Sequence, residues 1–196
     1  MLDHVFTDAI SVLRDALEGV LLERQTLEER FQVDILLGDC TWQTSYGLPG
    51  EDVPARLRAD ITLEWPTWAQ TAYRTWTIGE PGDEFPAVEL TVVYRVQQLS
   101  EAPDLEQVLG AAPAAGPVIG AEPLIRASPT VEIGYHDDLS SPHYATEITF
   151  EGRYEFDEAS LADGASMDAA FRELGSWMSS TLVRLGDLSL PYLPRG

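Results

Sequence analysis

From Tyr144 to Asp157 apolar and charged side chains take turns along the chain. Tyr144, Ile148, Phe150, Tyr154 and Phe156 fall on one side, and Glu147, Glu151, Arg153, Glu155 and Asp157 on the other. Period-two alternation is the mark of a strand with one buried and one wet face. A slip of one residue would bury the acids, so the register is firmly specified. Two more segments follow the same rule. Leu57, Ala59, Ile61, Leu63 and Trp65 alternate with Arg56, Arg58, Asp60, Thr62 and Glu64. Val88, Leu90, Val92, Tyr94 and Val96 alternate with Glu89, Thr91, Arg95 and Gln97. Strands of this kind require an antiparallel sheet with something apolar laid on one face.

That cover is supplied by helical periodicity at both ends. Phe6, Ala9, Ile10, Leu13, Leu17, Val20, Leu21, Leu27 and Phe31 recur at helical spacing, which predicts one helix from Leu2 to about Phe31. Met167, Ala170, Phe171, Leu174, Trp177, Met178, Leu182 and Leu185 predict a closing helix from Ser166 to Leu185, with Ser166 as N-cap and Gly186 as the stop. The expected fold is therefore α+β: an antiparallel sheet of about six to seven strands, packed by a long N-terminal helix and a C-terminal helix.

The intervening segments are read more coarsely. Phe31, Val33, Ile35 and Leu37 alternate as a first strand, and 46–52 is a breaker-rich loop. Pro66 is expected to bend or bulge the strand that ends at Trp65, with 68–78 resuming in extended form. Residues 79–83 form a turn cluster. Asp104 to Leu109 suggests a short helix, and Val131, Ile133 and Tyr135 a short strand. The Gly/Ala/Pro-rich stretch 110–120 reads as a flexible linker within one domain spanning 1–196, since neither half has strands enough for its own sheet. The tail from Leu188 to Gly196 is too apolar for a solvated end and is expected to dock.

Charge bounds the partners. The chain has 33 acids and 12 bases, a formal net charge of −21, and every base is arginine. Binding to a phosphate backbone rests on clustered Lys and Arg, so direct nucleic-acid binding is not expected. A salt-rich cytoplasm accounts for both the acid excess and the missing lysine, because salt screens self-repulsion; a GC-rich genome accounts for the missing lysine alone. No apolar run approaches the ~20 residues of a membrane span, and Met1-Leu2-Asp3-His4 does not open like a secretory leader. Cys40 is the single cysteine, which rules out an internal disulfide and fits a small core or strand residue.

Chemistry-bearing patterns are sparse. His136, Asp137, Asp138 and His143 form the best metal candidate, since imidazole and carboxylate suit a divalent ion. Their spacing matches no signature, and turn chemistry accounts for them, so no metal is expected. Without lysine there is no Walker or Schiff-base lysine, and no Gly-x-Ser-x-Gly elbow or Gly-x-Gly-x-x-Gly loop occurs. Catalytic and cofactor-binding residues are expected to be absent, and the chain is not read as an enzyme. Trp42, Trp65, Trp68 and Trp76 could line a pocket or an interface, with core packing the simpler explanation.

One layout is familiar. A long N-terminal helix precedes extended strands; the strand from Glu89 to Val96 leads into a short helix; a late strand runs from Tyr144 to Phe156. This resembles the tail-terminator and tail-completion proteins of tailed viruses, which assemble as rings at the end of the tail tube. The closing helix and its Leu-Pro-Tyr-Leu-Pro tail depart from that pattern. The resemblance implies a virion structural protein with no catalytic role, whose partners are copies of itself and other tail or connector proteins. The alternative is a small-molecule-binding domain with an apolar pocket between sheet and helix.

Overall fold

In the computed structural model the described residues are 4–20, 25–33, 38–48, 55–80, 82–135, 142–163 and 165–194. Their elements run α1 (His4–Val20), β1 (Gln25–Val33), β2 (Cys40–Gly47), β3 (Leu57–Trp65), α2 (Thr67–Thr77), β4 (Ala87–Leu99), α3 (Leu105–Ala111), β5 (Ala115–Ile119), β6 (Glu122–Arg126), β7 (Thr130–Tyr135), β8 (Pro142–Glu155), α4 (Glu158–Asp163) and α5 (Ala165–Gly186). The strands form one antiparallel sheet in the order β1-β2-β3-β4-β8-β6-β5, with β7 also paired to β8. The α+β expectation holds, and α1 and α5 pack together over one face of the sheet.

The alternating strands keep the register that their patterns require. Val92 lies opposite Ile61 on β3 and Phe150 on β8; Tyr94 lies opposite Ala59 and Ile148. All six of these side chains are buried. Trp65 sits at the centre of an aromatic cluster, 6.1 Å from Phe6 and 5.8 Å from Phe156 between ring centroids. Tyr94 lies beneath α5, its hydroxyl donating to the Met178 carbonyl at 3.3 Å, and burial pushes that hydroxyl's pKa well above the usual phenol range.

Several expectations are corrected. Helix α1 is His4–Val20, and residues 25–30, read as its continuation, are instead the first part of strand β1, whose end at Phe31 to Val33 agrees with the expected first strand. Glu28, Glu29 and Arg30 are good helix formers, yet β1 pairs along the whole of β2 with Phe31 opposite Trp42, and that pairing overrides local propensity. Residues 34–37, read as the end of a first strand, lie outside the described residues. Tyr46 and Gly47 belong to β2 instead of a loop.

The segment 68–78, read as extended, is instead helical to Thr77, within helix α2 (Thr67–Thr77). Pro66 caps it without a side-chain bond, so the sequence has no local start signal. The cap is remote: Asp39 Oδ1 accepts from the Thr67 backbone N–H at 2.6 Å and from its hydroxyl at 2.8 Å. Gln70 Nε2 ties the same turn to the carbonyls of Gly38 (2.6 Å) and Trp65 (3.1 Å).

The expected linker at 110–120 instead contains the end of α3 and strand β5, which turns at Gly120 (φ +70°) into β6. Its glycine serves close packing: a Cβ on Gly116 would lie 2.9 Å from Leu124 Cβ and 3.3 Å from the Trp177 ring. Gly152 on β8 likewise leaves an inward position empty for Leu124, where a Cβ would meet Leu124 Cδ2 at 2.3 Å. Ser166 falls inside the first turn of α5, its hydroxyl 2.8 Å from that of Ser160. The tail docks as expected. Leu190 is buried, Tyr192 bridges Leu99, and the N–H of Leu193 donates to Gln98 at 2.8 Å.

Candidate functional site

Three of the four residues of the metal candidate, His136, Asp137 and Asp138, lie outside the described residues. His143 is the second residue of β8, opposite Gly134, and its ring occupies the space a Cβ on Gly134 would take. Among the described residues no group of three or more His, Cys, Asp or Glu could hold a metal ion. Trp42 and Trp65 are fully buried, and Trp68 and Trp76 pack partly buried against the same core. Trp42 and Trp65 belong to the buried core together with Phe6, Tyr94, Phe150 and Phe171, while Trp68 stacks against Arg153, 4.7 Å from its ring centroid. Cys40 opens β2 as a buried thiol.

A hollow lies on the other side of the sheet. It is a groove of about 770 Å³ lined by Arg95, Gln97 and Gln98 from β4, Glu132 to Gly134 from β7, His143 and Ala145 from β8, and Leu193 and Pro194 from the tail. Arg95 is its centre. Its guanidinium donates to Glu132 at 2.8 Å, to Glu147, and to Gln97 Oε1 at 3.2 Å. Partial burial works against the charge, but the two carboxylates outweigh it and hold Arg95 protonated beyond the usual arginine range. Its nitrogens are engaged with these partners, so the chemistry here is a stitch across β4, β8 and β7 and not an anion receptor. Gln98 stands at φ 60° where the β4–β8 register shifts between Val96 and Leu99. That bulge turns the strand end toward the docked tail.

A second hollow, of about 480 Å³, lies beside Tyr154, Asp157, Ser160 and Ser166. Asp157 accepts from both the backbone N–H and the hydroxyl of Ser160, and those bonds lower its pKa below the usual carboxylate value. This is the N-cap of α4, and its serines have no histidine or lysine base beside them among the lining residues.

The feature that lacks an internal explanation is β7. Its Val131, Ile133 and Tyr135 pair with Thr146, Tyr144 and Pro142 on the face that is core elsewhere in the sheet. They are nevertheless 41%, 54% and 58% exposed. Among the described residues β7 pairs with β8 alone, so its other edge carries no strand. The sequence identifies the strand, but its alternation does not say whether a helix covers it. Comparison with family models, curated proteins and solved structures finds no match. Among the described residues no helix is long and apolar enough to cross a membrane.

Proposed function

We propose that this chain is a structural subunit that works by associating with copies of itself. The observation that carries the reading is β7: an open strand edge bearing a row of exposed apolar side chains. Open apolar edges are templates for pairing with another chain, and proteins that avoid such pairing blunt them with Lys, Pro or a cover. β7, Thr-Val-Glu-Ile-Gly-Tyr, contains neither Lys nor Pro, and among the described residues no strand pairs with its outer edge. The Gly/Ala/Pro-rich stretch 110–120 and the tail from Leu188 are both built into the subunit itself, so the self-association reading rests on β7. The tail-terminator likeness supplies the specific form: a ring in the tail of a virus, assembled in the cytoplasm of a halophilic host, with other tail or connector proteins as further partners.

Sedimentation in potassium chloride from ~0.1 M, where the Debye length is ~10 Å, to ~1 M, where it is ~3 Å, tests the reading. Association is expected to strengthen with salt, because two bodies of charge −21 repel until screened. A monomer at every salt concentration overturns it.

A further inference from the structure

We infer that β7 pairs antiparallel with β7 of a second copy across a two-fold axis, in a register centred on Ile133. This deepens the self-association reading and rests on it. A two-fold axis normal to the sheet keeps each face on its own side, so cross-strand partners must come from the same face. For a strand spanning Thr130–Tyr135, the registers with the greatest overlap are centred on Glu132 or on Ile133. The first opposes Glu132 to its own copy, a like-charge pair that destabilises a ladder. The second opposes Ile133 to Ile133 and each Val131 to Tyr135, while each Glu132 faces Gly134. The exposed row is thus self-complementary in one register, with aromatic and β-branched pairs of the kind that stabilise antiparallel ladders.

Charge selects the occupant. Glu132 is the one acidic or basic side chain in β7, and it is already bonded at 2.8 Å to Arg95 of its own subunit, which Glu147 shares. A basic peptide drawn by the protein's overall charge finds on this strand only a carboxylate already bonded to arginine. A second copy finds an apolar row that matches its own. The contact is isologous and closes on itself, so alone it yields a dimer; a ring needs a second, different contact.

The test combines sedimentation of the full chain in molar potassium chloride with mild oxidation of Ile133→Cys and Glu132→Cys variants. Circular dichroism checks that both keep the fold, and buried Cys40 sets the background. The expected result is a salt-dependent dimer, cross-linked through Ile133→Cys and not through Glu132→Cys. Ile133→Asp should weaken association by about tenfold or more, as for a central interface residue. A dimer that neither cysteine cross-links and Ile133→Asp leaves intact overturns the β7 contact while self-association stands. Cross-linking through Glu132→Cys instead overturns the register. A monomer at all salt concentrations overturns the contact and the proposed function together, and leaves the edge to a strand from another protein.

Discussion

Gly175 on α5 lies so close to Ala16 on α1 that a Cβ built on Gly175 would fall 2.7 Å from the Ala16 Cβ. The two helices that cover the sheet therefore meet nearly backbone to backbone. Gly175→Ala should destabilise the fold by about 1–3 kcal/mol, because overpacking outweighs the gain in helix propensity. Gly19, also helical, has open space where its Cβ would be. Gly19→Ala should instead stabilise by roughly 0.5–1 kcal/mol. Chemical denaturation of both variants checks the pair, and two changes of the same sign would mean the helix contact is misplaced.

Phe150 and Glu151 are neighbours on β8 with opposite fates. The Phe150 ring is fully buried, 4.9 Å from Trp177 and 6.1 Å from Tyr94 between ring centroids, while Glu151 is exposed. Phe150→Ala should cost about 3–5 kcal/mol, and Glu151→Ala within about 0.5 kcal/mol. Equal losses in urea melts would contradict the register of β8.

The docked tail gives a third expectation. Leu190 is buried, Arg56 donates to the Leu193 carbonyl, and its guanidinium stands 5.1 Å from the centroid of the Tyr192 ring. Leu190→Ala should cost about 2 kcal/mol or more. A chain ending before Leu188 should melt lower than the full chain; an unchanged melting temperature would mean the tail adds nothing to the fold.

Asp157 yields a pH dependence with a fixed sign. The Ser160 bonds lower its folded-state pKa below the ordinary value of 3.8. A depressed carboxylate stabilises above its unfolded pKa, and that contribution is lost as pH falls through the folded pKa. Asp157→Ala should therefore melt below the wild type at neutral pH, and the two curves should converge under acid conditions below the usual carboxylate range. A gap that persists there would assign the effect to something other than the charged cap.

Folding stability itself should rise with salt. A net charge of −21 makes the compact state repel itself, and screening relieves that repulsion. Melting temperatures measured from ~0.1 M to ~1 M potassium chloride should increase. A flat response would remove the physical basis for linking this acidity to a salt-rich host.

Sequence alone determined the elements whose own side chains carry the signal. β3, β4 and β8 alternate strictly because one face meets the core and the other water, and α5 and the first part of α1 show an apolar stripe for the same reason. The short helix expected from Asp104 to Leu109 and the docking of the apolar tail were legible too, since each rests on nearby residues. Where the cause lies elsewhere in the chain, only the tertiary structure decided. α2 starts at a carboxylate supplied by Asp39, so its threonine-rich sequence gives no warning of a helix. β1 is written in helix-forming residues and becomes a strand through pairing with β2. β5 has the composition of a linker because Gly116 must admit Leu124 and Trp177. The open edge of β7 belongs to the same class. Its alternation predicts a strand with an apolar face, but whether anything covers that face depends on where α1 and α5 lie, and their packing leaves it to solvent.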